Sequence, residues 1–168
     1  MFVHFEEMPA EARVWIYQAN RHLTTEEQAH IATQARAFTE KWDSHQRPLK
    51  ASYKLMYDTF LLLSVDETLH NASGCSIDKS VALLKSLEQD LAISFFDRML
   101  LAYWQDECVN FVSMANIKDA ISAGRITPDT LIFNNTIQTV GELRTQWLQS
   151  AQDSWLKRFF SSQTATAS

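Results

Sequence analysis

Apolar residues recur along the chain with two different periods, and the switches between them predict its elements. Over "ARVWIYQAN", 12–20, Val14 and Ile16 alternate with Trp15 and Tyr17, which predicts a buried strand. Over 23–43 the period becomes helical, with Ile31, Ala35, Phe38 and Trp42 on one face. Thr24 and Glu27 have the spacing of a capping box, in which hydroxyl and carboxylate each accept one free backbone N–H. Pro48 stops any helix and biases Arg47 to extended backbone. "ASYKLMY" and "TFLLLSVDE" predict two strands turning near Asp58, and the apolar run from Phe60 to Val65 fits a central strand. Ile77, Val81, Leu84, Leu87 and Leu91 form the stripe of a second helix over 77–94. "RMLLAYW" and "CVNFVSM" predict a strand pair turning at "QDE". A short helix follows, capped by Asn116 and stopped by Gly124, and "DTLIFNNTI" predicts a last strand. Residues 139–160 predict a terminal helix, broken near 150–153, whose stripe begins at Leu143 and Trp147.

This order predicts an α+β fold: a ferredoxin-like β-α-β-β-α-β core over 1–114, a C-terminal β-α extension over 115–160, and a disordered tail over 161–168. The first and third strands are expected side by side and parallel. The loops at 19–24 and 66–79 would then emerge at one end, each leading into a helix. "DSHQRPLKAS", with His45, is expected at the opposite end of the sheet.

Composition narrows the function. The chain has 168 residues, 46% of them hydrophobic and 21% charged, enough apolar material for a real core. A net charge of −5 without any Lys/Arg run argues against non-specific nucleic-acid binding. No apolar window has the length of a membrane span, and "MFVHFEEMPAEAR" lacks the features of a secretory signal, so a cytoplasmic location is expected. Cys75 and Cys108 are then expected as free thiols. Three glycines, Gly74, Gly124 and Gly141, leave no phosphate-cradling P-loop, no dinucleotide fingerprint and no nucleophile elbow.

The candidate chemistry gathers in "DETLHNASGCSIDKSVALL", 66–84. Cys75 lies just ahead of the predicted helix, where unpaired N–H groups favour a thiolate. His70 could serve as its base and Asp66 or Glu67 could orient the imidazole. The favoured expectation is that Cys75 packs behind the helix start while Ser73, Ser76 or Asp78 caps it. Ser73, Gly74, Cys75 and Ser76 also suit an anion, with Arg21 and Lys79 adding positive charge. His22, His70 and Cys75 have no zinc-like spacing, so no metal and no cofactor are expected. The five tryptophans suit a packed core, with Trp147 and Trp155 either clamping the last helix or marking a partner surface.

On "RVWIYQANRHLTTEE", "FLLLSVDE", "SGCSIDKSV", "FFDRM", "TPDTLIFNN" and "SWLKRF", the chain resembles a small uncharacterised family of Bacteroidota proteins. The most specific element is the run Ser73 to Asp78. Members often carry the label "ABC transporter ATPase", which the missing Walker A motif contradicts. The resemblance implies kinship and a site location, with no established activity. Separately, "AISAGRITPDTLIF", 120–133, resembles a segment of bacterial GYF-like domains, which are peptide-binding or accessory modules.

The leading expectation is a non-catalytic accessory module that binds a small ligand or a protein partner where the two loops meet. Its ligand-facing groups would be Asn20, Arg21, Asp66, Glu67, His70, Ser73, Gly74, Cys75 and Ser76. The alternative is a cysteine-dependent enzyme with Cys75 as nucleophile, His70 as base, Asp66 or Glu67 as orienter, and helix N–H groups as oxyanion donors. A third reading is a structural protein pairing through its C-terminal tryptophans, which leaves a homodimer open.

Overall fold

A computed structural model describes residues 1–160, and the tail expected to be disordered, 161–168, lies outside the described residues. In chain order the elements are β1 (Arg13–Gln18), α1 (Thr25–Lys41), β2 (Asp43–Ser44), β3 (Arg47–Pro48), β4 (Lys50–Met56), β5 (Phe60–Asp66), α2 (Gly74–Leu91), β6 (Leu100–Gln105), β7 (Cys108–Ser113), α3 (Ile117–Ser122), β8 (Leu131–Phe133), α4 (Val140–Gln146) and β9 (Leu148–Ser150). The fold is α+β with antiparallel sheets. Among the described residues no helix is long and apolar enough to cross a membrane.

The described residues divide into two compact units, Met1–Phe96 with Thr136–Arg144, and Asp97–Asn135 with 145–160. The expected boundary at residue 114 is therefore corrected. β6 and β7, assigned by sequence to the first core, join β8 and β9 in a separate four-stranded sheet of order β7-β6-β8-β9.

In the first unit β5 is the central strand, with all seven residues buried. β4 reaches it through a three-residue loop, Tyr57, Asp58 and Thr59, the first two at positive φ, and that tight connection enforces antiparallel pairing. β1 lies on the other side of β5 and is also antiparallel to it, with Arg13 opposite Val65 and Gln18 opposite Phe60. β1 and β4 thus run parallel to each other with β5 between them. The expected neighbours are found, but their expected parallel pairing is corrected. The complete ferredoxin-like core is corrected as well, because its fourth strand, β6, is absent from this sheet. Beside β1 a single bridge joins Arg13 to Thr139.

The pleat sorts the side chains of this sheet. Leu61, Leu63 and Val65, with Ala51, Trp15 and Tyr17, pack against Ile31 and Ala35 of α1 and Leu84 and Leu87 of α2. On the opposite face Val14, Phe60, Leu62, Ser52 and Ser64 are buried too. Ser64 Oγ donates to the Arg13 carbonyl at 2.8 Å. Ser52 Oγ is buried with no partner among the described residues.

The second unit packs α3 and Leu156 against its sheet, around Leu101, Tyr103, Val112, Ile126 and Ile132. The terminal helix expected over 139–160 is replaced by the short α4, then β9, which pairs with β8. Trp147 explains the break. It is buried, and its indole N–H donates to Asn135 Oδ1 at 3.0 Å, which draws the chain into the sheet instead of along a helix. Gly124 ends α3 at φ 75, as expected of a left-handed stop.

Candidate functional site

The β4–β5 register places Lys50 opposite Asp66. Residues just before 50 therefore lie beside residues just after 66. The segment before 50 is the β2–β3 hairpin, whose turn residues His45 and Gln46 sit at φ 50 and 68. Two-residue hairpin turns demand positive φ, and the turn at Asp106–Glu107 meets the same demand without glycine. The conformation of His45 thus follows from the turn type.

Three bonds tie this hairpin to the start of α2. Trp42, buried at the end of α1, donates its indole N–H to the Ser76 carbonyl at 2.9 Å. Ser76 Oγ donates to the Asp43 carbonyl at 2.8 Å. Lys79 pairs with the Asp43 carboxylate, which lies below its ordinary pKa mainly because of that bond.

α2 begins at Gly74, three residues earlier than expected, so Cys75 belongs to its first turn. Ser73 is the N-cap, accepting the Ser76 N–H at 3.1 Å, and the Ser73 N–H donates back to Ser76 Oγ at 3.2 Å. Helical spacing extends the buried face back to Ser76: Ser76 and Ser80 are buried alongside Leu84 and Leu87, while Cys75 is exposed. The expectation that Cys75 packs behind the helix start is corrected accordingly. Gly74 faces open space, and its conformation is open to any residue.

The loop carboxylates hold the loop. Asp66 Oδ1 accepts the Thr68 hydroxyl and, at 3.1 Å, the Thr68 N–H, while Oδ2 lies 3.5 Å from Lys50 Nζ. The Thr68 hydroxyl, then its N–H and Lys50, keep Asp66 below the usual carboxylate range against the opposing effect of burial. Glu67 Oε2 accepts the Ala72 N–H at 2.9 Å and closes the loop onto the helix start. Neither carboxylate hydrogen-bonds to His70 among the described residues, nor does His70 to Cys75. The Cys75, His70 and Asp66 constellation expected of a thiol enzyme is not assembled.

The second expected loop, 19–24, lies at the other end of the sheet, because β1 is antiparallel to β5. The Leu23 N–H donates to the Asp58 carbonyl at 2.7 Å, beside the β4–β5 turn. The single site expected from Asn20 and Arg21 together with 66–79 is thereby corrected. Asn20 Oδ1 accepts the Ser94 N–H at 3.0 Å. Arg21 clamps both oxygens of Glu27 at 2.7 and 2.6 Å and donates to the Leu91 carbonyl at 3.0 Å. One guanidinium thus joins the capping box of α1 to the C-terminal end of α2, where the helix dipole favours positive charge. Arg21, then the Thr24 N–H, press the Glu27 pKa down to about 2.

A cleft of about 540 Å³ lies between the β2–β3 hairpin and the loop after β5, lined by Ser44, His45, Arg47, Leu69, His70 and Asn71. Among the described residues, the side chains of His45, Arg47, His70 and Asn71 form no hydrogen bond or ion pair. Leu69, at 75% exposure, is the most exposed large apolar residue described. Of these lining residues only His70 was expected in a site. Ser44, His45, Arg47 and Asn71 were missed, although counting the β4–β5 register out from Asp58 would have placed the hairpin there. Among the described residues no group of His, Cys, Asp and Glu side chains could hold a metal ion. No protein-family model, curated protein or solved structure matches the chain.

Proposed function

We propose that this protein is a non-catalytic binding module whose ligand occupies the cleft between the β2–β3 hairpin and the loop after β5. One observation carries the reading. The other polar groups expected to bind (Asn20, Arg21, Asp66, Glu67, Ser73 and Ser76) are consumed in holding the fold, whereas those lining the cleft have no protein partner. Converging polar groups without partners, beside one exposed apolar side chain, are what a small-ligand site offers before it is filled. A crystallographic fragment soak tests this. Density bridging Arg47 and His70 is expected, and density only at the Asn20–Arg21 end would overturn it.

A second reading concerns the second unit taken by itself. Residues 120–133, which resemble GYF-like modules, run from α3 into β8. Outside that segment, a cleft of about 590 Å³ is lined by Met114, Ala115, Lys118, Arg158 and Phe159. Trp155, 44% exposed, meets Phe159 edge-on with ring centroids 6.3 Å apart. This favours a protein partner on that face. A Trp155→Ala chain that retains every interaction found in a pull-down with purified partners would oppose it.

A further inference from the structure

Resting on the binding reading above, we propose that the ligand of the 44–47 and 69–71 cleft presents an oxyanion, a carboxylate or phosphate group, to Arg47. The lining consists of Ser44, His45, Arg47, Leu69, His70 and Asn71, with no carboxylate among them. Its donors outweigh its acceptors. A guanidinium supplies five N–H groups and no acceptor, an amide two N–H groups, and each imidazole at least one. A planar fork of that kind matches carboxylate and phosphate oxygens two at a time.

Charge points the same way. Each carboxylate on the surrounding segments already has a partner: Asp43 has Lys79, Asp66 has Thr68 and Lys50, and Glu67 has the Ala72 N–H. Those bonds also engage both neighbouring lysines. Arg47 is left as the cation of the cleft that no carboxylate compensates among the described residues. A cationic ligand would meet this guanidinium and find no carboxylate in the lining. Leu69 adds an apolar contact, so the oxyanion belongs to a molecule with some apolar body.

The test is a titration of the full ¹⁵N-labelled chain with three near-isosteric probes, phenylacetate, 2-phenylethanol and 2-phenylethylammonium, together with inorganic phosphate, at constant ionic strength. Phenylacetate or phosphate is expected to shift the amides of 44–47 and 69–71 saturably, and the stronger of the two identifies the oxyanion. Arg47→Gln is expected to weaken that binding about tenfold or more, the loss of one bidentate charged contact. The urea midpoint of the variant serves as its folding control. If the alcohol or the ammonium binds the cleft as tightly as the anions, the oxyanion assignment is overturned while the binding reading stands. If no probe of any charge moves these amides, both fall. Anion shifts that survive Arg47→Gln unchanged would also overturn the assignment.

Discussion

Replacing Arg21 by Met keeps the aliphatic stem and deletes four charge-assisted hydrogen bonds, two to Glu27 and one each to the Leu91 and His22 carbonyls. If the full depression of Glu27 from 4.5 to about 2 were folding free energy, it would amount to about 3 kcal/mol. The Arg21 side chain is 43% exposed, so solvent screens the pair, and about 1 to 2 kcal/mol is the expected loss. The sign follows from the direction of the shift. A carboxylate whose folded pKa is depressed contributes its stability fully above its unfolded pKa, and loses it as pH falls through the folded value. The penalty of Arg21→Met should therefore be full at neutral pH, shrink below pH 4.5 and be mostly gone near pH 2. Urea denaturation followed by far-ultraviolet circular dichroism at several pH values measures it. An unchanged midpoint at neutral pH, or a penalty as large near about pH 2 as near about pH 7, would refute the structural role assigned to this guanidinium.

Three further outcomes are expected. Ser52→Ala removes a buried hydroxyl without a partner and should raise stability by about 1 kcal/mol in the same urea assay, and a loss would show that the hydroxyl has a partner after all. Gly74→Ala should gain about 0.5 to 1 kcal/mol, because an added Cβ meets open space and the unfolded chain loses freedom. A destabilised variant would show that the helix start needs glycine. Cys75 is exposed and has no bond to His70, so in a Cys108→Ala chain its alkylation rate should be the same with and without His70→Ala. A rate slowed by that substitution would restore the thiol-enzyme reading.

Several local signals in the sequence hold, while the pairings between distant segments do not. Thr24 and Glu27 form the capping box their spacing announces. The apolar run Phe60 to Val65 is a central strand because only a strand covered on both faces can bury every residue. The apolar stripe from Ile77 gives no sign that α2 already begins at Gly74; with 74–76 helical, Ser76 lies one turn before Ser80 on the buried face, and Cys75, about 100° round the helix, faces solvent. The site failed for a topological reason. The expected parallel pairing of β1 with β5 would have gathered 19–24 and 66–79, whereas the antiparallel pairing sends them to opposite ends. The same register brings the hairpin of 43–48 beside the loop after β5, which corrects its expected place at the opposite end of the sheet. Trp147 fits a helix stripe as well as a sheet, because a large apolar side chain gives no local sign of which it will pack in.

Polar groups at the ends of the first unit's sheet divide into those that hold the fold and those of the cleft, which we propose bind a ligand. Amide-shift mapping of a small fragment library on wild type and on an Arg47→Gln/His70→Ala chain tests that division most directly. Fragment shifts converging on 44–47 and 69–71 in the wild type, and vanishing in a double variant whose urea midpoint stays within about 0.5 kcal/mol of wild type, are the expected result. Shifts that converge on Asn20, Arg21 or the start of α2, or a double variant that loses stability along with binding, would contradict it.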